Sequence, residues 1–192
     1  MSTAEVLTPI PRLWENDPAD REHYEIIDGV RVELPPMSAD SAVLANRIAR
    51  HLSNFGIDQK LGEAFTETLF KLPLPVDRNR RPDAAFVPYS RWAKNRPLPT
   101  TNEWDVLPEL CVEVVSPTDR ADELMDKVRE YFQAGVRLVW VFYPRHGVVY
   151  VYESLTAVRG LTRADSLDGG AVLPGFSLPL TELFPEPPAQ PA

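Results

Sequence analysis

The chain has 192 residues, 44% of them apolar, which suits one ordinary domain with its own core. Its single cysteine, Cys111, excludes an internal disulfide and a zinc site built on thiolates. The formal charge of −8 argues against a broad, stable grip on nucleic acid, which favours an excess of Lys and Arg. It leaves room for an acidic metal site, where the ion itself brings positive charge.

Residues 1–20 are polar and without a period, and read as a flexible arm. One domain is expected over 21–184. Tyr24 to Leu34 reads as a β-hairpin turning at Asp28-Gly29, because glycine accepts the positive φ of a two-residue turn. Ser38 or Asp40 can cap a helix running to about Phe55, with Val43, Leu44, Arg47, Ile48 and Leu52 on its stripe and Gly56 as its stop. Phe65 to Leu74 looks extended. A basic run, Arg78, Arg80 and Arg81, precedes a short strand from Asp83 to Val87.

Pro88 to Pro108 reads as a long loop, and long loops in compact domains are usually functional or mobile. Glu109 to Val115 is a buried strand. Ser116 to Asp119 turns the chain, and a helix runs to Ala134, ended by Gly135. Val136 to Tyr143 is nearly all apolar, as in a strand covered on both faces. Pro144 to Gly147 turns into a strand over Val148 to Tyr152. The strand-helix-strand step from 109 to 143 predicts two parallel neighbours. The fold class is thus α/β, a central mixed sheet flanked by helices with an N-terminal hairpin. Residues 185–192 are Pro-rich and are expected to be disordered. No stretch is apolar for long enough to span a bilayer, and no signal pattern opens the chain. A reducing, cytoplasmic setting is expected.

Three positions carry possible chemistry. Glu113 sits mid-strand among apolar residues, where a carboxylate is costly unless paired, protonated or bound to a cation. The plain alternative is a salt bridge beneath the sheet. Asp83 begins its strand after Pro82, which leaves it at the rim, although a turn aspartate is equally ordinary there. Lys127 borders the apolar stripe of the second helix, which comprises Leu124, Met125, Val128, Tyr131 and Phe132. Glu123, Asp126 and Glu130 are assigned to the outer face. A border lysine often merely snorkels, but this helix must pack back on the sheet bearing Glu113. Two carboxylates suit Mg²⁺ or Mn²⁺, with the Val114 carbonyl as a further ligand. An ammonium beside them can orient a water or stabilise charge on a phosphate. Arg78, Arg80, Arg81, Arg91, Lys94 and Arg96 flank the site and are candidate phosphate contacts. Ser116 precedes Pro117 and has neither an elbow glycine pattern nor a base, so serine-hydrolase chemistry is rejected. No histidine pair has metal-ligand spacing.

Arg81-Pro82-Asp83, then Glu113-Val114-Val115-Ser116-Pro117, then Lys127 with Tyr131 and Gly135, resembles the Uma2 family. That family, formerly a domain of unknown function, lies in the restriction-endonuclease-like PD-(D/E)XK superfamily. The resemblance runs from about Tyr24 to Phe184. It implies that Pro82-Asp83 is the superfamily's PD and Glu113 its D/E. Val115 stands where the superfamily has lysine, and the resemblance implies that Lys127 supplies it from the helix. It also implies that Glu25 completes the acidic site. A histidine common near the start of the first long helix is missing from Met37 to Ser41. The implied function is metal-dependent cleavage of nucleic acid, DNA first. A homodimer is expected because cutting both strands needs two sites and dimers are the commonest oligomers. The alternative is an inactive nuclease-fold binding or accessory module.

Overall fold

The computed structural model describes residues 23–184, so the expected N-terminal arm and C-terminal tail lie outside the described residues. Tyr24–Ile27 (β1) and Val30–Glu33 (β2) form the expected hairpin. Asp28 and Gly29 both take positive φ, 54° and 75°, as a type I′ turn requires. The first helix, α1 (Ala39–Asp58), buries Leu44, Ala45, Ile48, Ala49 and Leu52. Val43 was expected on that stripe but is 50% exposed. At 100° per residue it falls opposite the stripe's centre.

Gly56 does not stop the helix. It is buried within it, and a Cβ there would lie 2.6 Å from both the Gly62 carbonyl and the Phe86 ring. Its role is close approach between helix and sheet.

The extended run expected over 65–74 is two strands, β3 (Gly62–Thr66) and β4 (Leu69–Lys71). They diverge at Glu67, whose φ of 51° breaks the extended backbone. The basic run is itself a buried strand, β5 (Arg78–Arg80), followed by β6 (Ala84–Pro88). The long loop contains a two-residue strand, β7 (Glu103–Trp104).

Next come β8 (Leu110–Val114), α2 (Ala121–Ala134) and β9 (Leu138–Tyr143), with β8 and β9 parallel as expected. Gly135, at φ 100°, ends α2 in the left-handed conformation. A 3-10 turn over Pro144–His146 leads to β10 (Val148–Tyr152), antiparallel to β9. Sequence pattern does not mark β11 (Val158–Thr162) or the ribbon of β12 (Ser166–Gly169) and β13 (Leu173–Pro179).

These strands make a mixed six-stranded sheet, β11-β10-β9-β8-β6-β3, and a five-stranded sheet, β2-β1-β5-β4-β7. One face of the larger sheet, with Ala84, Phe86, Leu110, Val112, Val114, Trp140 and Phe142, packs on α1 and β13. The opposite face carries Cys111, Val139 and Val141 against Val128 and Tyr131 of α2, and Ala85 and Val87 against Phe70 and Trp104 of the smaller sheet. No helix among the described residues is long and apolar enough to cross a membrane.

Candidate active site

The antiparallel register of β6 and β8 pairs Ala84 with Val112. One step further along, Asp83 stands opposite Glu113, and strand alternation puts both side chains on the α2 face. The Val114 N–H donates to Asp83 Oδ2, tying the aspartate to the end of β8. Glu113 is 5% exposed. Its Oε1 accepts the Tyr131 hydroxyl at 2.6 Å and its Oε2 accepts Lys127 Nζ at 3.2 Å.

Lys127 and Tyr131 are four residues apart on α2, hence on one helix face. The Lys127 ammonium also lies 3.4 Å from Glu25 Oε1, so it bridges β1 and β8. Glu25, 1% exposed, further accepts Arg80 Nη1 at 2.6 Å and the Arg81 N–H at 3.0 Å. Arg80 continues to Glu130 at 2.6 Å, and Arg78 links Glu130 at 2.9 Å to Asp28 at 2.8 Å.

The electrostatics divide these acids. Burial, and secondly the charge of Glu113, push the Asp83 carboxyl well above the ordinary range. Burial raises Glu113 as well, against the opposing pull of Lys127 and of the Tyr131 hydrogen bond. Burial acts on Glu25 in the same direction, but Lys127 and Arg80 together outweigh it and hold that carboxyl below its usual value. For Lys127, burial works against the charge, yet Glu113, Glu25 and Asp83 overcome it and raise its pKa.

Asp83, Glu113, Lys127 and Glu25 are therefore brought together, with the Val114 backbone beside them. Several candidate phosphate contacts are engaged elsewhere. Arg78 and Arg80 are buried in ion pairs, which corrects their reading as solvated phosphate contacts. Arg81 donates to the backbone carbonyls of Glu67 and Tyr24. Arg91 clamps the loop through the carbonyls of Leu107 and Pro108 and pairs with Glu109 at 3.4 Å. Lys94 and Arg96 are exposed, over the rings of Tyr89 and Trp92.

Glu130 was expected on the outer face but is 6% exposed, because two arginines from β5 meet it there. Glu67 was missed altogether. Half-buried at the β3–β4 corner, its carboxylate lies 3.3 Å from His23 Nε2, and its charge is felt at Asp83. Only its neighbours in space give it away, since Thr66-Glu67-Thr68 has no motif.

Among the described residues, no group of three or more His, Cys, Asp and Glu side chains is gathered closely enough to hold a metal ion by itself. The two facing carboxylates still fit a hard divalent cation. Burial and mutual repulsion both disfavour their charge, and a cation between them removes both penalties. Mg²⁺ is commonly held by one or two carboxylates, with water and phosphate filling its shell.

Comparison with known proteins identifies the family and the fold. Residues 12–181 match the model of a family described as "Uma2: Putative restriction endonuclease". Among solved structures, the chain is similar to a crystal structure from Anabaena variabilis described as "a putative nuclease belonging to DUF820". The TM-score is 0.72 at 17% identity, covering 84% of this chain and 89% of the other. At that identity the likeness speaks for the fold. No curated protein sequence matches the chain.

Proposed function

The chain belongs to the Uma2 family of restriction-endonuclease-like proteins, and from that premise we propose that it is a metal-dependent endonuclease hydrolysing phosphodiester bonds of nucleic acid, DNA first. The observation that carries this reading is a facing pair of disfavoured carboxylates, Asp83 and Glu113, with the Lys127 ammonium 3.2 Å from one of them. Asp83 and Glu113, with the Val114 carbonyl, would hold Mg²⁺ or Mn²⁺. The ion's chemistry there is to neutralise charge on the phosphate and to make a bound water more acidic.

Lys127 is held as an ammonium by the surrounding carboxylates, so it acts as a fixed charge and not as a base. It orients the attacking water or stabilises the charge gathering on the phosphate. Glu25 positions Lys127, and Arg80 positions Glu25. Tyr131 holds Glu113 from the far side. Of the expected phosphate contacts, the exposed Lys94 and Arg96 are the ones proposed, while Arg81 and Arg91 hold backbone carbonyls. Cutting both strands of a duplex needs two such sites, which a homodimer provides.

The test is cleavage by wild type beside Asp83→Ala and Lys127→Ala, with Mg²⁺, Mn²⁺ and chelator, on several nucleic acids. The variants should lose the metal-dependent cleavage. Equal cleavage by all three proteins would assign the activity to a contaminant. Mg²⁺ at 100 times its dissociation constant should stabilise the wild type by about 2.7 kcal/mol, and leave Asp83→Ala unmoved.

A second reading, a non-catalytic nuclease-fold binding module, is favoured by the net charge of −8 and by Glu113 having both oxygens already bonded within the protein. It requires that Mg²⁺ leave the melting temperature unchanged.

A further inference from the structure

A cavity of about 130 Å³ opens where the 88–108 loop folds back on β3 and β6. A space of this order takes one aromatic ring. Its walls are the rings of Phe65, Tyr89, Trp92 and Trp104. Trp104 sits between Phe65 and Trp92, edge-to-face with both, at centroid distances of 4.9 and 5.0 Å. These contacts hold the walls rigid. Lys94 and Arg96 stand exposed at the mouth, and neither enters an ion pair among the described residues. Arg96 lies 3.8 Å over the Trp92 ring, and a guanidinium stacks on a base as it does on an indole.

One polar group lines this apolar slot. The Glu63 carboxylate is held by the Tyr89 hydroxyl at 2.5 Å. It is an acceptor, the partner that an amino or imino N–H on a base edge requires.

The cavity also has a definite relation to the candidate catalytic pair. Asp83, Ala85 and Val87 alternate onto one face of the large sheet, and Val87 lines the cavity. Val87 lies four residue steps from Asp83, about 13 Å at ~3.3 Å per residue. Ala85 between them is buried beneath Phe70 and Trp104, so a strand joining the two sites passes around that face, a path of at least about four nucleotides at ~3.4 Å each.

We propose that this cavity is a base-binding subsite, which takes an unpaired nucleobase of a single strand a few nucleotides from the bond held at Asp83 and Glu113. The proposal deepens the endonuclease reading and rests on it for its substrate. The base stacks against Trp92, its edge meets Glu63, and Lys94 and Arg96 take the adjoining phosphates. A paired base in a duplex cannot enter without being flipped out, which costs unstacking. The substrate class is therefore single-stranded nucleic acid, or a duplex with an unpaired segment.

The test measures binding without cleavage. A fluorescein-labelled 12-mer of oligodeoxythymidine and a labelled duplex of equal length are titrated with the full chain, by anisotropy, in chelator. Trp92→Ala should weaken single-strand binding by roughly 5- to 100-fold, the range of one base–aromatic stack. Trp92→Phe should restore most of it, and duplex binding should move less than about 2-fold. Arg96→Ala, at an exposed position that leaves the fold intact, should weaken single-strand binding and flatten its salt dependence.

Unchanged single-strand affinity in Trp92→Ala and Arg96→Ala would overturn the proposal, as would a wild type that binds duplex more tightly than single strand. Metal-dependent cleavage lost in Asp83→Ala tests the catalytic reading separately. Cleavage that persists while Trp92→Ala binds like wild type removes the subsite and leaves the nuclease standing.

Discussion

The two faces of the six-stranded sheet come from the same strands and carry opposite contents. Toward α1, β6, β8 and β9 present Ala84, Phe86, Leu110, Val112, Trp140 and Phe142, with no charge among them. Toward α2 the alternate residues include Glu113, which is gathered with the buried Glu25, Arg80 and Glu130 and the partly exposed Asp83 and Lys127. Period-two alternation is what lets one strand serve both ends. The apolar face supplies stability by burial. The charged face holds carboxylates in an environment that disfavours them, which a pure core would not contain. A site of this kind exists because the other face over-determines the fold.

The sharpest break of that contrast is catalytic. Lys127→Met should cut metal-dependent cleavage by about 10²- to 10³-fold, the usual loss for one charge-stabilising group, with the far-UV spectrum unchanged. A variant cleaving at wild-type rate would remove Lys127 from the chemistry.

Stability should be lost comparably on both faces, for different reasons. Arg80→Met removes one cation from both Glu25 and Glu130, leaving them Lys127 and Arg78, and should cost about 3 kcal/mol in urea unfolding. Phe86→Ala opens a void under α1 and should cost about 3–5 kcal/mol. An Arg80→Met protein as stable as wild type would mean that the buried ion network carries no structural share.

The pH dependence separates the acids on the charged face. Asp83 and Glu113 have folded pKa values above their unfolded ones. The folded state keeps protons that the unfolded state has released, so their contribution is most favourable below about pH 4, the unfolded carboxylate range, and fades as pH rises through the folded values. Glu25 has the opposite sign. Its contribution is present above the ordinary carboxylate range and is lost as pH falls through its depressed pKa. Asp83→Asn, which can still accept the Val114 N–H, should therefore gain on wild type as pH rises from 4 to 8. Parallel stability curves for the two proteins would contradict the assignment.

Smaller effects test the apolar face alone. Gly56→Ala forces a Cβ against backbone and ring at 2.6 Å, and should cost about 1–3 kcal/mol despite alanine's better helix propensity. Val43→Ala, on the solvent side of the same helix, should stay within about 0.5 kcal/mol. A larger loss would place Val43 in a contact.

What the sequence discloses follows how local each signal is. Asp28-Gly29 declares its turn within two residues, and Glu109 to Tyr143 declares a strand, a helix ended by Gly135 and a second strand through periodicity alone. Glu113 was legible because a charge stands out in an apolar run, whereas Asp83 looks like a turn aspartate and Lys127 like a border lysine until the family pattern joins them to it. Arg78 and Arg80 were misread because their partners are tens of residues away, and an arginine run looks solvated until Glu130 is placed beside it. Glu130 was misread for the same reason, since a helical wheel assigns every glutamate outward. Gly56 has the look of a stop, but its neighbour is Gly62 in space. The strands after Tyr152 are short, mixed in polarity and interrupted by glycine, so alternation does not mark them.

The ion network has a consequence for how the protein comes into being. Arg80 joins Glu25, from the first strand, to Glu130, from the second helix, and Lys127 binds the same two regions from the other side. A growing chain emerges from the ribosome with residues 25, 80 and 83 well ahead of 113, 127 and 130, and domains generally fold as whole units. The nascent protein therefore displays the Glu25–Arg80 pair and Asp83 before Glu113, Lys127 and Glu130 exist. Whatever chemistry the finished site performs begins only after the second helix has docked, so an incomplete chain is made without its reactive centre.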